Sequence, residues 1–290
     1  MIVDINSKII MSDKYSINFD DILNELKPFP NDIVYLGGSL IEGTISVYSE
    51  GMGNCYSDID VFIIREKSEF DKTEAVYSSA TRKTYFVDSL LNGADIEVYS
   101  SEFVYSLKNV LNRHKISADV RIANVFENVK GVENDLFLIN TFLNRLYYSI
   151  CIYNHETYSS LKSGMSFRKF LKIKDAELTA SIENLIPDVK GNLEVGQIDV
   201  ALYCMREAYL KMMNFILVSE DIFVDRTKWI PLKFKNLCNE KSRYSYLWDE
   251  YLQLFRLGTE SEKECYAVVE SNMATVKKAM EDVLMKGLAL

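Results

Sequence analysis

The sequence predicts an α+β protein: a mixed-sheet part over residues 1–110, then an all-helical part over 111–290. Two observations predict it. Short apolar runs with period-two alternation, separated by glycine turns, are confined to the first hundred residues. After Ser100 the apolar residues recur instead at helical spacing over long stretches. A chain of 290 residues is long enough for one large or two ordinary domains.

The elements follow in order. "NFDDILNELK" (19–28) has helical spacing and "PFPND" stops it. "IVYL" (33–36) is a short apolar strand that ends in Gly37-Gly38, and a short helix follows. "SDIDVFIIRE" (57–66) alternates, with Asp58, Asp60 and Phe62 on one side and Ile59, Val61 and Ile63 on the other. "RKTYFVDSLLNGADIEVYS" (82–100) reads as two strands joined around Asn92-Gly93, a common hairpin pair. Beyond it, Leu136, Ile139, Leu143, Leu146 and Ile150 form one stripe, and Ile198, Leu202, Met205, Tyr209, Met212 and Ile216 another. "IPDVKGNLEVGQ" (186–197) reads as the clearest loop of the helical half, and a last helix runs from about Glu260 to Met285.

Composition excludes several functions. A net charge of -9 argues against broad nucleic-acid binding, which rests on Lys and Arg neutralising phosphates. Five scattered cysteines (Cys55, Cys151, Cys204, Cys238, Cys265) without Cys-x-x-Cys predict reduced thiols in a cytoplasmic protein. The N-terminus mixes charge into its apolar residues, unlike a signal peptide, and no run approaches a membrane span of about 18 apolar residues. His114 and His155 stand alone, and neither a P-loop nor a dinucleotide-binding glycine motif is present.

The chemistry is in Tyr35–Ile64. Asp58 and Asp60 project the same way from a strand, with bases about 7 Å apart from the per-residue rise. Two carboxylates that close repel when ionised, and partial burial makes this worse. Mg²⁺ between them removes the conflict, because it takes carboxylate, water and phosphate oxygens. Gly37, Gly38 and Ser39 supply the complementary half. Glycines let a ligand approach the backbone, and the amides of the turn and helix start favour phosphate. A third carboxylate is expected on the neighbouring strand, where "ADIEVY" (94–99) offers Asp95 and Glu97. Three carboxylates on two strands can hold two metal ions, one on a triphosphate and one that activates an acceptor hydroxyl.

Gly-Gly-Ser, then Asp-x-Asp, then a later-strand carboxylate resembles the DNA polymerase β-like nucleotidyltransferase superfamily, whose minimal members add a helical C-terminal domain. The resemblance implies that Gly38 and Ser39 contact the terminal phosphates. It implies that Asp58 and Asp60 are Mg²⁺ ligands and that Asp95, or else Glu97, is the third carboxylate. The family leaves a shorter gap before the first aspartate; here 40–57 intervene, and "GTISVYSEGMGNCYS" reads as an insertion. Residues 201–237 resemble the helical domain of small-molecule nucleotidyltransferases related to aminoglycoside and lincosamide resistance enzymes. There a Lys-Trp pair lies beside the active site, here Lys228-Trp229. The lysine would reach a phosphate, or the tryptophan simply anchors its loop. Arg82 and Lys83 either face the predicted site, if the hairpin runs as drawn, or read as an exposed charge pair.

The implied activity is Mg²⁺-dependent transfer of a nucleoside monophosphate, AMP from ATP, to a hydroxyl of a small molecule. The competing readings are nucleotidylation of a protein or tRNA, and synthesis of oligonucleotides or cyclic nucleotides.

Overall fold

The computed structural model describes residues 2–4, 7–12, 15–54, 56–90, 93–115, 125–131, 135–257 and 261–288. Cys55 and Asn92 lie outside them. The chain divides into two compact units, Met1–Lys169 and Phe170–Leu290.

The first unit opens with three antiparallel strands, β1 (Ile2–Asp4), β2 (Lys8–Ser12) and β3 (Tyr15–Asn18), which the sequence reading did not foresee. Helix α1 (Phe19–Leu26) follows and ends as Lys27 turns left-handed at φ 46. The chain then builds a six-stranded sheet from β4 (Ile33–Gly37), β5 (Ile59–Arg65), β6 (Tyr77–Ser78), β7 (Arg82–Val87), β8 (Ala94–Ser100) and β9 (Ile150–Tyr153). Its order is β6-β7-β8-β5-β4-β9. All neighbours are antiparallel except β5 and β8. Helix α2 (Gly38–Ile45) leaves β4, α3 (Lys67–Lys72) leaves β5, and α4 (Ser101–Arg113) leaves β8. Helices α5 (Leu136–Tyr147) and α6 (His155–Ser163) flank β9.

Alternation gives the sheet two different faces. Val34, Leu36, Val61, Ile63, Ile96, Val98 and Ile152 point to one side and close a core with Phe19 and Ile22 of α1 and Phe70 of α3. The opposite face carries Tyr35, Phe62 and Tyr99. Phe103 of α4 and Phe142 of α5 pack on Tyr99 at 5.8 and 4.9 Å between ring centroids. At the rim, Arg65 clamps Asp32 with both Nε and Nη2, the latter at 2.6 Å, and both residues are buried. In α6, Lys162 donates to the Tyr158 hydroxyl at 2.9 Å and the Ser149 carbonyl at 3.3 Å, and burial pulls its amine down to about 8.

The division at 169/170 falls well beyond the expected boundary near 110, because β9 returns to pair with β4 and closes the sheet. Ile150, read as the end of a helical stripe, is the first residue of that strand. Lys83 and Arg82 are not an exposed pair. Lys83 is buried and donates to the carbonyls of Asp71 and Thr73, while Arg82 is half-buried on the other face.

The second unit is helical. It holds most of α7 (Phe167–Glu194), then α8 (Ile198–Ser219), α9 (Ile230–Glu240), α10 (Ser245–Arg256) and α11 (Glu262–Leu288). Leu202, Met205, Tyr209, Met212 and Ile216 of α8 are buried as their spacing predicts. The loop expected over 186–197 is instead helix through Glu194, passing Pro187. Ile182, Val189 and Leu193 are buried there at helical spacing, so tertiary burial outweighs the two local breakers, Pro187 and Gly191. Among the described residues no helix is long and apolar enough to cross a membrane.

Candidate active site

The site lies on the aromatic face of the sheet in the first unit, at the end where β4 runs into α2. Antiparallel pairing sets Gly37 opposite Asp60, and parallel pairing sets Asp60 beside Asp95. Glu97, two residues on, shares the face of Asp95 and pairs with Phe62. Asp58 precedes β5 by one residue. The carboxylates of Asp58, Glu97 and Asp95 all act on Asp60 electrostatically, so the sequence-predicted acids share one field.

Gly38 makes the junction possible. Its φ is +76, a left-handed conformation that favours glycine, and a Cβ there would overlap the Asp60 carboxylate. The Asp60 side chain therefore lies directly against the first turn of α2, where Gly38 and Ser39 present backbone N–H groups at the helix start. The N-cap residue, Gly37, makes no side-chain cap hydrogen bond at this end, and a helix start of this kind favours an anion. An anion bound here would touch Asp60, and a cation between the two would serve both.

Asp60 is the strained member. Its side chain keeps 18% exposure, and its carboxyl is pushed up to about 6. Burial is the largest cause, the three neighbouring carboxylates add to it, and Arg145 opposes it. Arg145 of α5 is itself buried, with Nη1 3.9 Å from Asp60 Oδ2. Sequence reasoning missed this residue. The available signal was the polar pair Asn144-Arg145 inside the apolar run of α5, where a charge is rarely placed without a purpose.

The two candidates for the third carboxylate differ in their surroundings. Glu97 accepts a hydrogen bond from the Tyr99 hydroxyl at 2.6 Å and another from Arg82 Nη1 at 3.5 Å. Burial, then Glu97, holds the Tyr99 phenol well above its ordinary value, so it remains a donor. Asp95 is exposed and stands in register with Asp60. Among the described residues, no group of three or more His, Cys, Asp or Glu is arranged to hold a metal ion by itself. Mg²⁺ does not require one, since it commonly takes one or two carboxylates and completes its octahedron with water and phosphate oxygens. A half-buried carboxylate destabilised by like charges, beside a helix start that favours phosphate, fits that cation.

The expected insertion over 40–57 begins inside α2 and continues through a 3-10 turn, Val47–Ser49. Buried Glu42 is tied to Ser49 Oγ at 2.9 Å, and a Cβ on Gly53 would press on Leu40, so the segment folds back on α2. Lys228 belongs to the second unit, in a 3-10 turn (Thr227–Trp229) that leads into α9, with Nζ 4.8 Å from the centroid of the Trp229 ring. His114 caps the end of α4 and His155 opens α6. The four described cysteines, Cys151, Cys204, Cys238 and Cys265, are free thiols.

No protein-family model matches the sequence, and no curated protein does. Among solved structures, a nucleotidyltransferase-like protein from Exiguobacterium sibiricum is similar over 92% of this chain and 77% of its own, with a TM-score of 0.45 and 9% identity.

Proposed function

We propose that this chain transfers a nucleoside monophosphate, AMP from ATP, to a hydroxyl of a small molecule, and that it does so with Mg²⁺. The observation that carries the reading is the contact between Gly38 and the Asp60 carboxylate, which joins a phosphate-favouring helix start to a cluster of acids. Gly37, Gly38 and Ser39 would hold the β- and γ-phosphates through backbone N–H groups and the Ser39 hydroxyl. Asp58 and Asp60, with Asp95, would hold Mg²⁺, which when bound supplies charge neutralisation on the triphosphate. Glu97, fixed by Tyr99 and Arg82, would keep the acid row in position. Arg145 would balance the carboxylate charge behind Asp60. Asp95, which is exposed, would take the acceptor proton.

The test is twofold. Thermal stability is measured against each of the four ribonucleoside triphosphates, with and without Mg²⁺. Purified protein is then incubated with a metabolite extract and α-labelled ATP, and the labelled products are separated by size. A Mg²⁺-dependent shift with ATP and label on small molecules support the proposal. Label on macromolecules moves the assignment to protein or tRNA modification, and absence of any nucleotide shift refutes it.

A further inference from the structure

The row that crosses the sheet at the level of Asp60 has two unlike ends. Register pairs set Gly37, Asp60, Asp95 and Phe86 side by side on β4, β5, β8 and β7. At a strand spacing of about 4.8 Å the row is about 14 Å long. Its glycine end opens on the first turn of α2. Its far end is apolar. Phe86 is 48% exposed, and its ring lies over Gly93, where a Cβ would overlap it.

A second exposed ring lies on the same face. Tyr77 of β6, 50% exposed, pairs with Thr84, which pairs with Glu97, so Tyr77 and Phe86 share the face of the acids. The Arg82 guanidinium lies 5.5 Å from the Tyr77 ring centroid. The other face of β7 shows what packing alone would ask for: Tyr85 and Val87 are drawn into the core. Phe86 has no such task. Two exposed rings on one face make a more continuous apolar surface than a single exposed side chain, and such patches mark binding sites.

In-line displacement decides what that is. The attacking oxygen and the leaving oxygen lie on opposite sides of the phosphorus. With the terminal phosphates at Gly38 and the α-phosphate over Asp60, the acceptor hydroxyl lies over Asp95. The body of the acceptor then extends over the next strands, onto Phe86 and Tyr77. We infer that these two rings form the acceptor platform, and that the acceptor is a hydroxyl compound with a flat or apolar ring face, aromatic or sugar, beside the reacting hydroxyl. This rests on the nucleotidyl-transfer reading above. In the step itself the acceptor oxygen bonds to the α-phosphorus and its proton passes to Asp95. The bond to the bridging oxygen of the β-phosphate breaks, and pyrophosphate leaves. Phe86 and Tyr77 change no bonds; they are positioning residues.

The experiment uses two hydroxyl probes, p-nitrophenyl β-D-glucopyranoside, which has rings, and glycerol, which has none. AMP transfer from Mg²⁺-ATP is measured in wild type, Phe86→Ala and Phe86→Trp, with Mg²⁺-ATP thermal stabilisation as the check that each variant is folded and binds nucleotide. Wild type should prefer the glucoside. Phe86→Ala should raise KM for the glucoside about tenfold, as loss of one stacking ring does, with kcat far less affected. Phe86→Trp should restore it. Lack of preference in wild type overturns the inference. So does an unchanged KM in Phe86→Ala, or transfer to neither probe by protein that Mg²⁺-ATP still stabilises. Wild type that Mg²⁺-ATP fails to stabilise overturns the transfer reading instead.

Discussion

Replacing Asp60 by Asn should make the protein more stable while removing its response to Mg²⁺. The Asp60 carboxyl is raised from 3.8 to about 6, mainly by burial and against the pull of Arg145. The folded state therefore holds a proton that the unfolded state releases between those two values, and stability falls as pH rises through that window. A shift of this size corresponds to about 3 kcal/mol at about 1.36 kcal/mol per unit. Asn mimics the protonated carboxyl and escapes that penalty. Without divalent cation, and well above the window, Asp60→Asn should melt higher by several degrees, at roughly 2–4 °C per kcal/mol. The gap should close as pH falls to the ordinary carboxylate range. Saturating Mg²⁺-ATP, at about 100 times its dissociation constant, should then stabilise wild type by about 2.7 kcal/mol and leave the variant unmoved. Thermal unfolding across pH, with chelator and with Mg²⁺-ATP, reads both effects. A variant less stable than wild type at alkaline pH, or a gap that does not depend on pH, refutes the account of Asp60 as a carboxylate awaiting a cation.

Gly38→Ala should weaken Mg²⁺-ATP binding by at least about tenfold, because the methyl must displace the Asp60 carboxylate and the residue must hold a positive φ; titration calorimetry measures it. Arg145→Met should raise the pH at which Mg²⁺ begins to bind, since the group that lowers the Asp60 carboxyl is gone; the midpoint of Mg²⁺-dependent stabilisation against pH reports it. Arg65→Ala strands buried Asp32 and should cost about 3–5 kcal/mol in denaturant unfolding. Lys162 is held down at about 8, so the unfolded state binds more protons from there up to the ordinary lysine value, and this residue makes stability rise with pH across that range. Lys162→Met should remove that rise, seen as the difference between the two pH–stability curves.

What was legible in the sequence was whatever is encoded locally. Alternation in 57–66 put Asp60 and Phe62 on one face, and the structure keeps them there. Helical spacing in 198–216 marked the buried side of α8. What was not legible depends on distant partners. Ile150 continues a helical period from Leu136, yet it pairs with Leu36, far back in the chain. Pro187 and Gly191 read as breakers because their local preference is visible, and the burial of Ile182, Val189 and Leu193 that outweighs it is not. Of the site, the acids and glycines were visible as a motif. Arg145, contributed by α5 through packing, was not. The hydrogen bonds from Tyr99 and Arg82 that distinguish the surroundings of Glu97 from those of Asp95 follow from no spacing rule.

The late return of β9 bears on how this protein can be cut. β4 is buried along its whole length, and Ile33, Val34, Tyr35 and Leu36 are apolar. A fragment that stops near residue 110 keeps the glycine turn and all the acids, but it bares the outer hydrogen-bonding side of β4. An apolar strand with an open side recruits further strands from other molecules. Such a fragment should precipitate on expression for reasons unrelated to its chemistry. One that ends at Lys169 retains the four residues of β9 as a short cover, and is the sensible unit to express alone.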